Sequence, residues 1–333
     1  MKHNDILIDV KNKLYHPIYF LSGEEPFYID LISNFIEKNV LDEAEKEFNQ
    51  QIIYGKDTDI STVISAAKRY PMMANHNVVI VKEAQHLIKQ IDQLDSYLDN
   101  PTKSTILVFC YKYKTLDGRK GITKKLSKKS VFFESKPIYE NQVPDWINNY
   151  LKEKNYTINP KASFLIAEFL GTDLSKVANE LEKLTINIPE GTEINAEMVE
   201  KNIGISKDFN MFELNKAIGS KDILKANKII NHFAKNEKEH PIQATIAVLY
   251  MFFTAILKYH YTKDKNPRNI AVALKISPFF VKEYQLAAKN YDIRKAVKVI
   301  EYIREYDLKS KGVNNVSSSS GELAKELVFK ILH

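Results

Sequence analysis

Short apolar runs alternate with helical stretches over roughly the first 136 residues of the chain. Continuous β-branched runs are typical of strands buried on both faces of a sheet, and apolar spacings of three and four residues predict helices. The predicted helices span residues 27–40 and 60–69. The predicted strands span residues 18–21, 51–54, 78–81, 105–111 and 131–133. This alternation indicates a mostly parallel sheet covered by helices on both faces.

The pattern changes after Pro137, and from Val143 onward apolar residues recur almost everywhere at helical spacing. Prolines punctuate these predicted helices, and a break at 207–210 separates a short helical unit from a longer one. The sequence therefore predicts three domains: an α/β domain over 1–139, a small all-α domain over 140–210 and a larger all-α domain over 211–333.

The composition narrows the class of protein. The chain has 333 residues, of which 44% are hydrophobic and 27% charged, as in ordinary soluble globular proteins. A single cysteine excludes a disulfide framework and fits a reducing, cytoplasmic location. The first 16 residues lack an apolar signal core, and the longest apolar run, 244–257, is shorter than a bilayer span. Secretory and membrane classes are therefore not expected.

A glycine-bearing loop follows the first predicted strand and precedes a helix, which is the context of a phosphate-binding loop. Counting from Gly23, the positions of the second glycine, the lysine and the hydroxyl hold Tyr28, Ile29 and Asp30. Two glutamates directly after Gly23 also place negative charge where phosphates would bind. Each element of a working phosphate loop is therefore missing.

Other signs of catalysis or of a bound metal are also missing. The third predicted strand is followed by Lys82, where a metal-binding aspartate would stand. No two histidines are four residues apart, and Cys110 lies within an apolar strand, which predicts a buried structural thiol. The sequence thus assigns no catalytic residue, metal site or cofactor. It leaves open a nucleotide-binding fold that has lost its site or an unrelated α/β sheet.

Five stretches, in order along essentially the whole chain, resemble the delta subunit family of bacterial DNA polymerase III, the wrench of the clamp loader. They are residues 19–29 (YFLSGEEPFYI), 70–74 (YPMMA), 78–85, 115–120 (TLDGRK) and 174–184 (LSKVANELEKL). The resemblance implies an AAA+-like (RecA-type) α/β domain with a degenerate nucleotide site, an all-α lid and an all-α collar.

The resemblance also implies a function and a set of partners. A delta subunit binds and opens the sliding beta clamp so that the clamp can be loaded onto primed DNA during replication. It works beside the gamma/tau ATPase subunits and delta-prime, and meets primed DNA through the complex. It would need no cofactor and catalyse nothing itself. The alternatives are an active AAA+ ATPase and a helix-turn-helix regulator.

Met72 and Met73, just after Pro71, are the candidate clamp-binding plug. Two large apolar residues in a helix–strand connection are poorly placed for both to reach the core, and methionine fills irregular partner pockets. From the residues alone, packing of one or both beneath the preceding helix is the favoured interpretation. The resemblance favours the plug, although the family often has a leucine–phenylalanine pair here.

Positive charge concentrates in one segment. Residues 103–136 hold nine lysines, one arginine and two acids, a net charge of +8, so the remaining chain sums to −2 of the total of +6. Such a patch suits a phosphate backbone or an acidic protein surface, or is simply a solvated face. The candidate DNA contacts are Arg119, Lys120, Lys124, Lys125, Lys128 and Lys129.

Residues 270–284 have the apolar rhythm of a helix-turn-helix. The second helix of such a motif reads base edges in the major groove, chiefly through Arg, Asn and Gln side chains. Residues 278–284 (PFFVKEY) offer none of these three residue types. A packed collar helix is therefore the favoured interpretation of this segment.

Overall fold

The computed structural model describes residues 2–206, 208–315 and 317–333. Its residues divide into two compact units. The first comprises residues 2–139 with 172–178, and the second comprises 140–171 with 179–333. The predicted break at 207–210 begins at a residue outside the described ranges. Apart from residues 172–178, both predicted helical domains fall within the second unit, so their separation stays a prediction.

The first unit contains five strands and six α-helices among its described residues, together with a 3₁₀ segment at Ala84–Leu94. The strands are β1 (Ile18–Gly23), β2 (Gln50–Tyr54), β3 (Asn77–Lys82), β4 (Thr105–Lys112) and β5 (Val131–Ser135). The helices are α1 (His3–Lys11), α2 (Pro26–Asn39), α3 (Glu43–Asn49), α4 (Ile60–Ala67), α5 (Asp95–Asp99) and α6 (Gly121–Lys129). All five predicted strands and both predicted helices are confirmed, with shifted ends.

The five strands form one parallel sheet in the order β2-β3-β4-β1-β5. Side chains alternate across it: Ile18 and Phe20 of β1 join the core cluster on one face, and Tyr19 and Leu21 join the cluster on the other. Because β1 is buried along its whole length, both faces of the sheet are covered, as the continuous apolar runs predict. Cys110 lies inside β4, where burial raises the pKa of its thiol to about 11.

The second unit is mostly helical, with one small parallel sheet of β6 (Thr157–Ile158) and β7 (Glu193–Ile194). Its helices are α7 (Val143–Glu153), α8 (Pro160–Leu170), α9 (Leu174–Ile186), α10 (Ala196–Ile203), α11 (Met211–Ser220), α12 (Ile223–Lys235), α13 (Ile242–Tyr261), α14 (Pro267–Leu274), α15 (Val281–Asn290), α16 (Ile293–Ser310) and α17 (Ser320–Leu332). The first few residues of α9 belong to the first unit. Two-residue strands are too short for an alternating pattern, which is why the sequence did not indicate them.

The longest apolar run is part of a longer helix. The run at 244–257 lies within α13, which has 20 residues and is long and apolar enough to cross a membrane by length and composition. Length alone therefore does not exclude a membrane span. The side chains of Leu249, Phe253 and Ile256 are instead buried in the main core cluster of the helical unit, which explains why the run is apolar.

The helix-turn-helix rhythm belongs to α14 and α15, which are joined by a 3₁₀ turn at Pro278–Phe280. Ile270 and Leu274 of α14 pack with Val281 of α15 in a small apolar cluster that also includes Ala255 of α13. The rhythm is therefore explained by packing within the helical unit, as the favoured interpretation expects.

Polar links join α8 to α11 within the second unit. Glu213 at the start of α11 is 5% exposed and accepts hydrogen bonds from Lys161 of α8, at 2.6 Å, and from Lys225 of α12. Glu168 of α8 accepts a hydrogen bond from the backbone N–H of Met211 at 2.9 Å. These bonds hold a helix of the predicted lid against the first helix of the predicted collar.

Replacing Glu213 should destabilise the second unit. Burial raises the pKa of Glu213, but the hydrogen bonds from Lys161 and Lys225 outweigh it and leave the pKa below its usual value. The carboxylate therefore stabilises the fold above about pH 4.5, its unfolded value, and this contribution is lost as pH falls through the folded pKa. Glu213→Gln should cost about 1–2 kcal/mol of unfolding free energy at pH 7, discounted for the part-exposed lysines.

Chemical denaturation at pH 7 and at pH 3 measures this effect. The matched control is Glu301→Gln, which removes an exposed ion pair between Lys298 and Glu301 of α16 and should change stability by less than about 0.5 kcal/mol. An equal effect of the two substitutions at pH 7, or a Glu213→Gln effect that does not shrink in acid, would contradict the assignment.

Candidate functional site

The loop that connects α4 to β3 presents apolar side chains to solvent. Helix α4 begins after Asp59, whose carboxylate accepts the Thr62 N–H at 2.7 Å, and it ends at Ala67, two residues before its predicted end. Met72 is 63% exposed and Met73 is fully exposed at 104%. Packing of either methionine beneath α4 is therefore excluded.

The same loop is held to the unit at several points. The buried side-chain amide of Asn49 in α3 donates to the Met72 carbonyl at 2.9 Å and accepts from the Met72 N–H at 2.6 Å. Asn77 at the start of β3 donates to the Ala66 carbonyl at 3.2 Å. Ala74 packs against the core cluster beside α2. The methionines thus project from a fixed backbone.

The residue at the tip of the loop has an unusual conformation. Met73 has a φ of +55°, which lies in the left-handed region. Non-glycine residues rarely adopt this region because it has a small energetic cost. Such a conformation persists where surrounding contacts fix the backbone on either side. Here Asn49 fixes the preceding residue, Met72, by hydrogen bonds, and the following residue, Ala74, packs against the core cluster.

A different loop occupies the place of a phosphate loop, at the carboxyl end of β1. The carboxylate of Glu25 accepts the N–H of Phe27 at 2.9 Å at the N-terminus of α2, and Pro26 has no N–H to offer. Burial raises the pKa of Glu25, and the Phe27 N–H opposes that shift. A helix N-terminus that could attract a phosphate is therefore capped by the protein's own carboxyl group.

Gly23 is required for a close approach of backbones. It has a φ of +143°, and its N–H donates to the Lys114 carbonyl at 3.1 Å. A Cβ atom at this position would lie 2.0 Å from the Ser135 carbonyl oxygen. The glycine serves this packing, and its neighbour Glu25 also points its N–H to Ser135 at 3.5 Å.

The remaining residues of the degenerate site are used structurally. Ile29 is buried in the core, and the ring of Tyr28 lies 4.3 Å from that of His3 in α1. Asp30, at the position of the metal-binding hydroxyl, pairs with Lys112 at the end of β4, with 2.6 Å between Nζ and Oδ1. These four positions, including Gly23, lie together, but none offers a free phosphate or metal ligand.

A second ion pair lies at the same edge of the sheet. Lys82, at the end of β3, pairs with Glu37 of α2 at 3.3 Å. The lysine stands where a metal-binding aspartate would follow the strand. The carboxyl edge of the sheet is therefore closed by pairs between the strands and α2, which sequence reasoning did not identify because each pair joins residues at least 45 positions apart.

The structure separates the six candidate DNA contacts into two groups. Arg119 forms a bidentate pair with Asp117 at 3.0 Å, and Lys125 of α6 pairs with Asp95 and Asp99 of α5 at 2.8 and 2.7 Å. The exposed group, which has no carboxylate within ion-pairing distance among the described residues, is Lys120, Lys124, Lys128 and Lys129. Lys124 and Lys128 are four residues apart in helix α6 and therefore lie on one face of it.

Comparisons with known proteins agree with this architecture. The family described as DNA polymerase III, delta subunit, matches residues 19–136, and the family described as DNA polymerase III delta subunit, C-terminal domain, matches residues 208–329. The chain belongs to the DNA polymerase III delta subunit family. It is a clamp-loader delta subunit, a component of the DNA polymerase III complex that serves DNA replication.

Two relatives of the delta family cover nearly the whole chain. The DNA polymerase III subunit delta of Bacillus subtilis (strain 168) is 27% identical over 319 residues, which are 92% of this chain and 91% of the relative. A solved Bacillus subtilis DNA clamp loader delta protein is 25% identical, with a TM-score of 0.55 and 99% of each chain covered. The expected α/β fold followed by helical parts is thereby confirmed for this delta subunit.

The filled phosphate position generates a prediction about nucleotides. We expect no magnesium-dependent ATP binding by this delta subunit in isothermal titration, because Glu25 caps α2 and Asp30 and Lys112 neutralise each other. ATP at millimolar concentration should leave the melting temperature unchanged, whereas a ligand at a hundred times its Kd would add about 2.7 kcal/mol. Micromolar binding that requires magnesium would overturn this prediction.

Proposed function

We propose that this delta subunit binds the sliding beta clamp through Met72 and Met73 and favours the open form of the clamp during loading onto primed DNA. The observation that carries the proposal is the fixed loop between α4 and β3, which exposes both methionine side chains. Large apolar side chains held in water on a rigid loop are suited to a partner pocket. Pro71, directly before the pair, contributes because its ring fixes its own φ angle and restricts the backbone of the residue before it.

The opening of the clamp is a matter of differential affinity. A ligand moves a closed ring toward an open one only if it binds the open form more tightly. Two methionines that enter a pocket accessible in the open form would supply this difference. The delta subunit would then act without any chemical step of its own.

The proposed partners follow from membership of the clamp loader. The beta clamp is the direct target, and the gamma/tau ATPase subunits and delta-prime supply and control the nucleotide-driven steps. This chain would contribute no catalysis and require no cofactor, which makes an active AAA+ ATPase the disfavoured alternative. Because the loader works on chromosomal DNA in a bacterium, its location would be the cytoplasm.

The basic segment supports a second contact, with the phosphate backbone of primed DNA in the assembled loader. Lys120, Lys124, Lys128 and Lys129 form an exposed cationic group around α6. Arg119 and Lys125 would contribute less, because carboxylates already neutralise them. Contacts of this kind fix position on the DNA but carry no sequence information, unlike those of a helix-turn-helix regulator.

Removal of the methionine pair should abolish most clamp binding without unfolding the subunit. Burial of each side chain is worth about 1.5–3 kcal/mol, so Met72→Ala with Met73→Ala should weaken clamp affinity at least about a hundredfold. The melting temperature should stay within about 2 °C because both side chains are exposed. Surface plasmon resonance with immobilised clamp and thermal denaturation measure the two quantities.

The matched control is Met251→Ala, which removes an exposed methionine of the second unit. It should leave clamp affinity unchanged. Clamp binding by the double variant that equals the wild type would reject the methionine pair as the plug.

Neutralisation of the four exposed lysines should flatten the salt dependence of DNA binding. Each phosphate contact that is lost reduces the slope of log K against log salt by about 0.9 for duplex DNA. The variant Lys120→Gln, Lys124→Gln, Lys128→Gln, Lys129→Gln should therefore show a slope smaller by about two to four in the assembled loader. Fluorescence anisotropy with primed DNA at several salt concentrations measures this slope.

The control replaces four exposed lysines of the second unit by glutamine: Lys238, Lys263, Lys282 and Lys289. It changes net charge equally and should leave most of the slope intact. An unchanged slope in the α6 variant would instead indicate that this patch docks an acidic protein neighbour.

A further inference from the structure

We propose that Asn49 is a positioning residue for clamp binding: its side-chain amide fixes the backbone of Met72 and so holds the methionine pair in its binding conformation. This inference rests on the proposed function of the pair and names a residue outside the apolar contact itself. Asn49 is the last residue of α3 and lies 23 positions before Met72 in the chain.

The geometry uses every hydrogen-bonding group of the amide. The Nδ2 atom donates to the Met72 carbonyl at 2.9 Å and to the Glu45 carbonyl within α3 at 3.0 Å. The Oδ1 atom accepts from the Met72 N–H at 2.6 Å. An amide that both donates to and accepts from one residue imitates a strand partner, and asparagine has the groups and length for it.

Burial of Asn49 strengthens its two hydrogen bonds with the Met72 backbone. Asn49 is 2% exposed, which limits the access of water to its side-chain amide. Met72 itself is mostly exposed. The two hydrogen bonds from Asn49 therefore fix the backbone of a residue whose side chain makes little packing contact with the fold. The loop would otherwise be free to sample other conformations between Ala67 and Ala74.

The hydrogen bonds from Asn49 would affect clamp affinity by fixing the loop before the clamp binds. Met73, the next residue, is held at a φ of +55°, a conformation that an unrestrained methionine rarely adopts. Without Asn49 the loop would have to be ordered when the clamp binds, and that ordering would reduce affinity. Asn49 would therefore act on clamp binding through Met72 and Met73, without a clamp contact of its own.

The test compares Asn49→Ala and Asn49→Asp in the full chain by clamp affinity, melting temperature and hydrogen exchange of the Met72 amide. Asn49→Ala should weaken clamp binding about five- to thirtyfold and accelerate exchange at Met72. Asn49→Asp keeps the acceptor for the Met72 N–H and loses both donors, so it should lie between wild type and Asn49→Ala. If Asn49→Ala does not fold, the Asn49→Asp variant decides, and wild-type affinity in that variant would overturn the proposal.

The control is Ser22→Ala, which removes a buried hydrogen bond of the same unit, from the Ser22 hydroxyl to the Phe133 carbonyl, at the opposite end of the sheet from Met72. It should lower the melting temperature with less than a threefold effect on affinity. If Asn49→Ala and Ser22→Ala have the same effect on affinity, Asn49 serves general stability and the proposal fails.

A double-mutant cycle separates this inference from the proposed function. In the background of Met72→Ala with Met73→Ala, the Asn49→Ala change should have no further effect on the residual affinity. An undiminished effect in that background would show that Asn49 acts on another surface and would overturn the inference. If the double methionine variant itself keeps wild-type affinity, the proposed plug fails first, and the inference with it.

Discussion

The parallel sheet of the first unit, with both faces buried, is the constraint on which the rest of that unit depends. Because the backbone of β1 pairs with β4 and β5 and its side chains alternate between two core clusters, a one-residue shift of register would move every side chain into the opposite cluster and disrupt the packing of both. All connections must then leave the sheet at one of its two edges. The loop between α4 and β3, which carries Met72 and Met73 and is termed the methionine loop, enters β3 at the amino edge of the sheet. The loop that follows Gly23 leaves β1 at the carboxyl edge.

At the carboxyl edge of the sheet, the charged groups are balanced by one another. In a phosphate site the helix N-terminus and nearby lysines would face an anion. Here Glu25 supplies the negative group at α2, and Asp30 and Glu37 supply partners for Lys112 and Lys82. The charges that a ligand would balance are therefore balanced within the unit.

The strands of the sheet were predictable from sequence because continuous apolar runs report burial on both faces directly. Helix α1 and helix α3 were not predicted, since their short and largely polar sequences carry a weak apolar rhythm. The degenerate site was predicted residue by residue, because a motif can be checked position by position. The ion pairs that fill it, and the split of the basic segment into paired and unpaired groups, depend on contacts between distant residues that no local pattern encodes.

The conformation of the methionine loop also depends on a contact between distant residues that no local sequence pattern encodes. The residues alone favoured the core for Met72, because large apolar side chains are usually buried, although an apolar residue near a helix end fits either place. What decides between them is Asn49, a polar residue in a different helix, whose amide holds the Met72 backbone at the surface. An exposed apolar side chain is costly in water only while it has no partner, and a backbone fixed in advance reduces the ordering that a partner must impose. The buried amide and the exposed methionines are thus two parts of one arrangement, in which the hydrogen bonds fix the conformation and the apolar side chains remain free for binding.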